Sequence, residues 1–162
     1  MITRRNAWCV LAAGTLAVLP HPATAADFDL RLDRLADAFT LLPEADRQST
    51  DEVIALIRRG ENNEALDRLR KLNASNPDNS SLRVLTAYAL LQVGNLVGAF
   101  TEADRAHSSP THNSYTCWFF SRIALLKGDI QVCKRELEHL KHSGDMRAEA
   151  KQLERDLKKR NN

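Results

Sequence analysis

Glu136, His139 and His142 are spaced three residues apart, so a helix would carry them along one side. A Glu-x-x-His pair of this kind supplies half of a carboxylate-rich di-metal centre. A complete centre needs a second such pair and more carboxylates, and the sequence has no second pair. The expectation for Glu136 and His139 is therefore the polar outer face of a helix. His107 and His112 flank Pro110 and read as loop residues. There is no glycine-rich phosphate loop, no nucleophile elbow and no cysteine pair at zinc spacing. The remaining acidic residues fall on faces that read as solvated, where nothing raises a carboxyl pKa. No catalytic residue, metal ligand or cofactor is assigned, and the reading is of a protein that is not an enzyme.

The elements that would position such residues emerge from self-comparison. Gly60, Gly94 and Gly128 lie 34 residues apart, each followed by a polar residue, Glu61, Asn95 or Asp129. Five residues after each glycine stands a small one: Ala65, Ala99, Cys133. Leu69, Ala103 and Leu137 follow, then Leu72, Ala106 and Leu140, and each unit closes near Pro77, Pro110 or Gly144. In the middle unit Leu82, Leu85, Tyr88 or Ala89, and Val93 recur at helical spacing up to Gly94. Leu96, Ala99, Phe100, Ala103 and Ala106 form a second apolar stripe. Two stripes joined by a short turn predict a helical hairpin, and stacked hairpins bury the face that one alone leaves wet.

This period, turn glycine, small residue and closing proline resemble the tetratricopeptide repeat superfamily over residues 46–147. The resemblance implies an all-α solenoid of three repeats, 46–79, 80–113 and 114–147. Ala87 and Ser121 match the small position of the first helix, where the first repeat has Val53, and the family's Leu-Gly pair is missing from all three. An N-terminal amphipathic helix within 26–45 and a C-terminal capping helix and tail at 148–162 flank the repeats. Eight helices and no sheet are expected.

The resemblance also implies that the first helix of each pair lines a concave groove. The facing residues are then Thr50, Ile54, Ile57 and Arg58; Val84, Tyr88, Leu91 and Gln92; Tyr115, Trp118, Arg122 and Leu125. Ile54, Tyr88, Leu91 and Trp118 stand where the family's carboxylate clamp needs polar groups, so that clamp is unsupported. The groove assigned to Ile54, Arg58, Tyr88, Leu91, Tyr115, Trp118 and Arg122 suits an amphipathic helix or an extended apolar peptide of a protein partner. A competing reading has Tyr115, Trp118 and Phe119 packing the core. A further alternative makes the chain a structural module whose apolar groove is filled by its own helix 28–42 or by a second copy, as a homodimer.

Helix starts are read from capping residues. Ser49-Thr50-Asp51-Glu52 places one near Thr50. Asn79 or Ser80, Asn113 or Ser114, and Asp145 place others near Ser81, Tyr115 and Met146. Cys117 and Cys133 then fall near the starts of successive antiparallel helices. With about 1.5 Å of rise per residue, their Cα atoms come out on the order of 10 Å apart or more, beyond the roughly 7 Å reach of a disulfide. Two separate thiols are expected, with Cys133 the more buried.

Residues 1–25 stand apart from the rest. Arg4 and Arg5 precede an apolar run from Ala7 to Leu19, then Pro20, Pro22 and Ala23-Thr24-Ala25. This is the pattern of a secretory signal peptide, expected to be cleaved after Ala25 with a retained N-terminal anchor as the alternative, and implies an exported protein, periplasmic or secreted. The 162-residue chain carries 23 basic and 21 acidic side chains. Removing Arg4 and Arg5 leaves the two signs balanced, which removes the electrostatic case for nucleic acid or for a membrane surface after cleavage. Apolar residues at 43% and charged residues at 27% fit one globular domain.

Overall fold

Gly60, Gly94 and Gly128 adopt φ of +77°, +80° and +89° in a computed structural model that describes residues 30–160. Around each glycine the backbone closes the same pair of hydrogen bonds. The glycine amide donates to the carbonyl three residues back, on Ile57, Leu91 or Leu125. The next amide, of Glu61, Asn95 or Asp129, donates to Leu56, Leu90 or Ala124 at 3.0, 2.9 and 2.8 Å. A left-handed residue is what this helix ending requires, and glycine adopts it without a Cβ penalty. The 34-residue spacing is thus one turn made three times.

The turns join α2 (Glu44–Arg58) to α3 (Asn62–Ser75), α4 (Ser80–Gln92) to α5 (Leu96–His107), and α6 (Ser114–Lys127) to α7 (Ile130–His142). α1 (Ala36–Thr40) precedes them and α8 (Arg147–Arg160) follows. Single 3-10 turns lie at Leu32–Arg34 and Gly144–Met146. Among the described residues there is no strand, as composition and periodicity predict. From α2 to α8 each helix packs on the next, and α4 and α8 both touch α6 as well. No helix among the described residues is long and apolar enough to cross a membrane.

Small residues set how closely the helices approach. Ala65, Ala99 and Cys133 are all fully buried, as are Val53, Ala87 and Ser121 one helix earlier in the same register. α4 and α5 make the most extensive contact, with Ala87 and Ala89 on one helix and Ala99, Ala103 and Ala106 on the other all buried. Phe119, Phe120 and Ile123 fill the space at α6, and Met146, Ala150, Leu153 and Leu157 bury the inner face of α8.

Three local expectations are corrected. The N-terminal segment is not one helix. The chain makes a 3-10 turn and the five-residue α1, then breaks before Pro43, which disfavours helix in the residue ahead of it. Leu35 and Leu42 anchor this broken segment in the core. α2 starts at Glu44 rather than near Thr50. Glu44 and Asp46 favour the positive helix start, and the Ser49 and Thr50 hydroxyls bond back to the carbonyls of Ala45 and Asp46 inside the helix. Asp145 does not cap α8. It sits within the preceding 3-10 turn, accepts the Ser143 hydroxyl at 2.5 Å and pairs with Arg34 at 3.7 Å. Asn79 and Asn113 are the caps of α4 and α6. Residues 1–25 and the start of segment 26–45 lie outside the described residues.

Candidate functional site: the strapped helix starts and a His–Cys–Glu cluster

The seven residues assigned to the groove meet different fates. Ile54, Tyr88 and Trp118 are half-buried, Arg58 is exposed and Leu91 is buried. Tyr115 is 2% exposed, and its ring stacks on Trp118 with centroids 5.3 Å apart. Arg122, half-buried, bonds Asp156 of α8. Ile54, Tyr88 and Arg122 share one register, 34 residues apart, while Trp118 shares its register with the buried Thr50 and Val84.

Tyr115 is covered by the chain's own N-terminal segment, here called the strap. The Arg31 amide donates to the Tyr115 hydroxyl at 3.0 Å. Further along, the Asn113 side-chain amide donates to the Arg34 carbonyl at 3.3 Å, and that of Asn79 to the Ala38 carbonyl at 3.0 Å. Arg34 pairs with Asp145, and Arg31 with Glu149 of α8 at 3.8 Å. The strap therefore runs across the starts of α4, α6 and α8. The Ser143 hydroxyl, the Ser114 hydroxyl and the Arg34 charge hold the Asp145 carboxyl below the usual carboxylate range, Ser143 most strongly.

Glu136 and His107 lie elsewhere than the sequence predicts, while the two thiols stay separate as expected, with Cys133 the more buried. Glu136 is not on an outer face: it is 1% exposed, between α7 and its neighbours. His107 is not a loop residue but the last of α5. Its ring stacks on Phe120 at 5.0 Å, and its Nε2 lies 2.9 Å from a Glu136 carboxylate oxygen. Arg135 donates to the other oxygen at 2.9 Å. Cys117 joins this pair: one donor atom each of His107, Cys117 and Glu136 lie within 4.8 Å of one another.

His112 does lie in the loop, its Nδ1–H donating to the Ser109 carbonyl at 2.7 Å. His139 is exposed. With Cys117, Ser143 and Leu140, these two histidines line a shallow cleft against the cluster. A signal for Glu136 was present in the sequence. Positions 133, 136, 137 and 140 form one helical stripe, and all four are buried.

Among the described residues the two cysteines are free thiols, Cys117 half-buried and Cys133 fully buried. Burial pushes the Cys117 thiol up to about 11, and the Glu136 charge adds to it. Burial likewise pushes Cys133 up to about 11. This is the reverse of an activated nucleophile, whose thiolate is favoured at neutral pH.

Compared with known proteins, the chain matches no family model, no curated protein and no solved structure.

Proposed function

We propose that this chain is a non-catalytic protein-interaction scaffold, an exported solenoid of the tetratricopeptide kind that takes a helix or extended segment of a partner on the concave side of α2, α4 and α6. The observation that carries the reading is the identical glycine turn at Gly60, Gly94 and Gly128. It sets three hairpins in one register, so that Ile54, Tyr88 and Arg122 recur at equivalent places. The exposed Arg58 and half-buried Ile54 in the last turns of α2 supply the mixed apolar and cationic chemistry that such a segment would meet.

Site-specific photo-crosslinking in the source cell tests this. A crosslinker at Ile54 or Arg58 is expected to trap one partner repeatedly, and one at the exposed Asp67 or Arg70 of α3 to trap none. Equal labelling at both places, or no adduct at Ile54 and Arg58, overturns the reading.

A second reading is favoured by the Arg31–Tyr115 hydrogen bond and its neighbours. In it the chain caps its own groove and is a self-contained module. Light scattering and apolar-dye binding on residues 26–162 and 44–162 distinguish the two. A monomer that binds dye only after truncation supports self-capping, and a dimer that forms without the strap supports self-association.

A further inference from the structure

We propose that His107, Cys117 and Glu136 bind a divalent metal ion of the zinc class between the second and third hairpins. The three residues come from three successive helices, α5, α6 and α7, and offer one nitrogen, one sulfur and one oxygen donor. That donor set is one borderline-soft zinc accepts, and a softer or harder cation would prefer a more uniform one.

The strongest argument comes from comparing hairpins. In the second hairpin Arg83 of α4 faces Glu102 of α5, and the two form a half-buried ion pair at 3.1 Å. Thirty-four residues later, the same two places hold Cys117 of α6 and Glu136 of α7. The repeat has kept the carboxylate, buried it more deeply, and replaced the guanidinium opposite it with a thiol. Glu136 is now 1% exposed, facing half-buried His107 and a largely exposed Arg135. A buried carboxylate is costly unless positive charge accompanies it. A dipositive ion bound by one thiolate, one carboxylate and a neutral imidazole balances the charge of its own ligands, with the largely exposed Arg135 left at the rim on the other Glu136 oxygen.

The geometry requires little movement. Around a tetrahedral zinc, nitrogen and oxygen ligands stand about 3.3 Å apart, and sulfur about 3.6 Å from either. His107 Nε2 and Glu136 Oε2 are 2.9 Å apart, and all three donor atoms lie within 4.8 Å. The metal takes the place of the proton between His107 and Glu136, with the ring proton then on Nδ1. The Cys117 thiol gives its proton to solvent as the sulfur–metal bond forms. The fourth position falls beside the cleft of His112 and His139, which admits water or one of those rings. His112 already donates its Nδ1–H to a backbone carbonyl, the arrangement that leaves Nε2 as the metal-binding nitrogen.

The test is titration of cobalt(II), then zinc, into the untagged, reduced full chain stripped with chelator. One equivalent of cobalt is expected to give a near-ultraviolet thiolate-to-metal charge-transfer band and the strong visible bands of a tetrahedral ion. One equivalent of zinc should abolish both. Cys117→Ser should remove the charge-transfer band, and Glu136→Gln should weaken zinc at least tenfold. Cys133→Ala, which matches the alanine of the other two hairpins, should leave spectrum and affinity unchanged. The proposal is overturned if the wild-type chain shows no charge-transfer band at one equivalent. It is equally overturned if the band survives Cys117→Ser, or disappears with Cys133→Ala.

Discussion

Asn79 and Asn113 do the same two jobs from equivalent positions 34 residues apart. Each side-chain oxygen caps a helix, accepting the amide of Leu82 or Thr116. Each side-chain NH2 donates to a strap carbonyl, that of Ala38 or Arg34. An amide is needed for both, because a carboxylate caps a helix well and donates nothing.

Aspartate at these positions therefore separates capping from strap docking. Asn95 caps α5 through the Gly98 amide and serves as the control for the cap alone. Asn113→Asp is expected to be less stable than Asn95→Asp by on the order of 0.5–1.5 kcal/mol, the net worth of one hydrogen bond. Asn79→Asp, with the more buried side chain, should lose more. Urea midpoints of the three variants check this, and equal midpoints would mean that the strap bonds contribute nothing.

Ala99 is fully buried where α4 and α5 approach most extensively. Ala99→Leu should cost about 1–3 kcal/mol by overpacking. Denaturant titration reads the loss, and an unchanged midpoint would show that the close approach yields without strain.

Alkaline stability should depend on Cys133. Its folded thiol is raised from 9.0 to about 11, so the unfolded chain ionises first. Its contribution is complete below about pH 9 and is lost as pH rises through the folded value. Cys133→Ala should unfold at less urea than or equal urea to the wild type at pH 7, and gain on it steadily above pH 9. Parallel curves at all pH values would contradict the burial of this thiol.

Acid should act at Asp145. Its carboxyl is held below its ordinary 3.8. The contribution is therefore present above that value and lost as pH falls through the lower folded one. Asp145→Asn should lower the melting temperature slightly near neutral pH, with the difference vanishing in strong acid. A difference that persists there would assign the effect to packing rather than charge.

The helical hairpins were readable in the sequence because their cause is local. A left-handed turn selects glycine, and a close helix approach selects Ala65, Ala99 and Cys133, so both recur at the period. The α2 start was misread because Ser49 and Thr50 hydroxyls serve a cap and a helix interior equally well. Glu136 was misread for a different reason. A carboxylate on an apolar stripe is intelligible only beside His107, and that partner lies 29 residues earlier on another element. Tyr115 was placed on the groove face, but the strap that covers it is joined to it across 84 residues, a distance no periodicity encodes.

The strap also fixes an order of events. Most side-chain links between helices span about one repeat, such as Ser80 to Thr111, Ser114 to Ser143 or Arg122 to Asp156. The strap's links reach from Ala38 to Asn79, Arg34 to Asn113, and Arg34 to Asp145. Chain synthesis delivers the strap first and its last anchor more than a hundred residues later. The hairpins can thus form one by one as they emerge, while the strap gains its anchors in turn, first Asn79, then Asn113 and Tyr115, then Asp145 and last Glu149 of α8. A chain truncated before α8 would keep its turns and most of the strap's anchors and lose the Arg31–Glu149 pair, so the last helix adds the final clasp to a strap already seated.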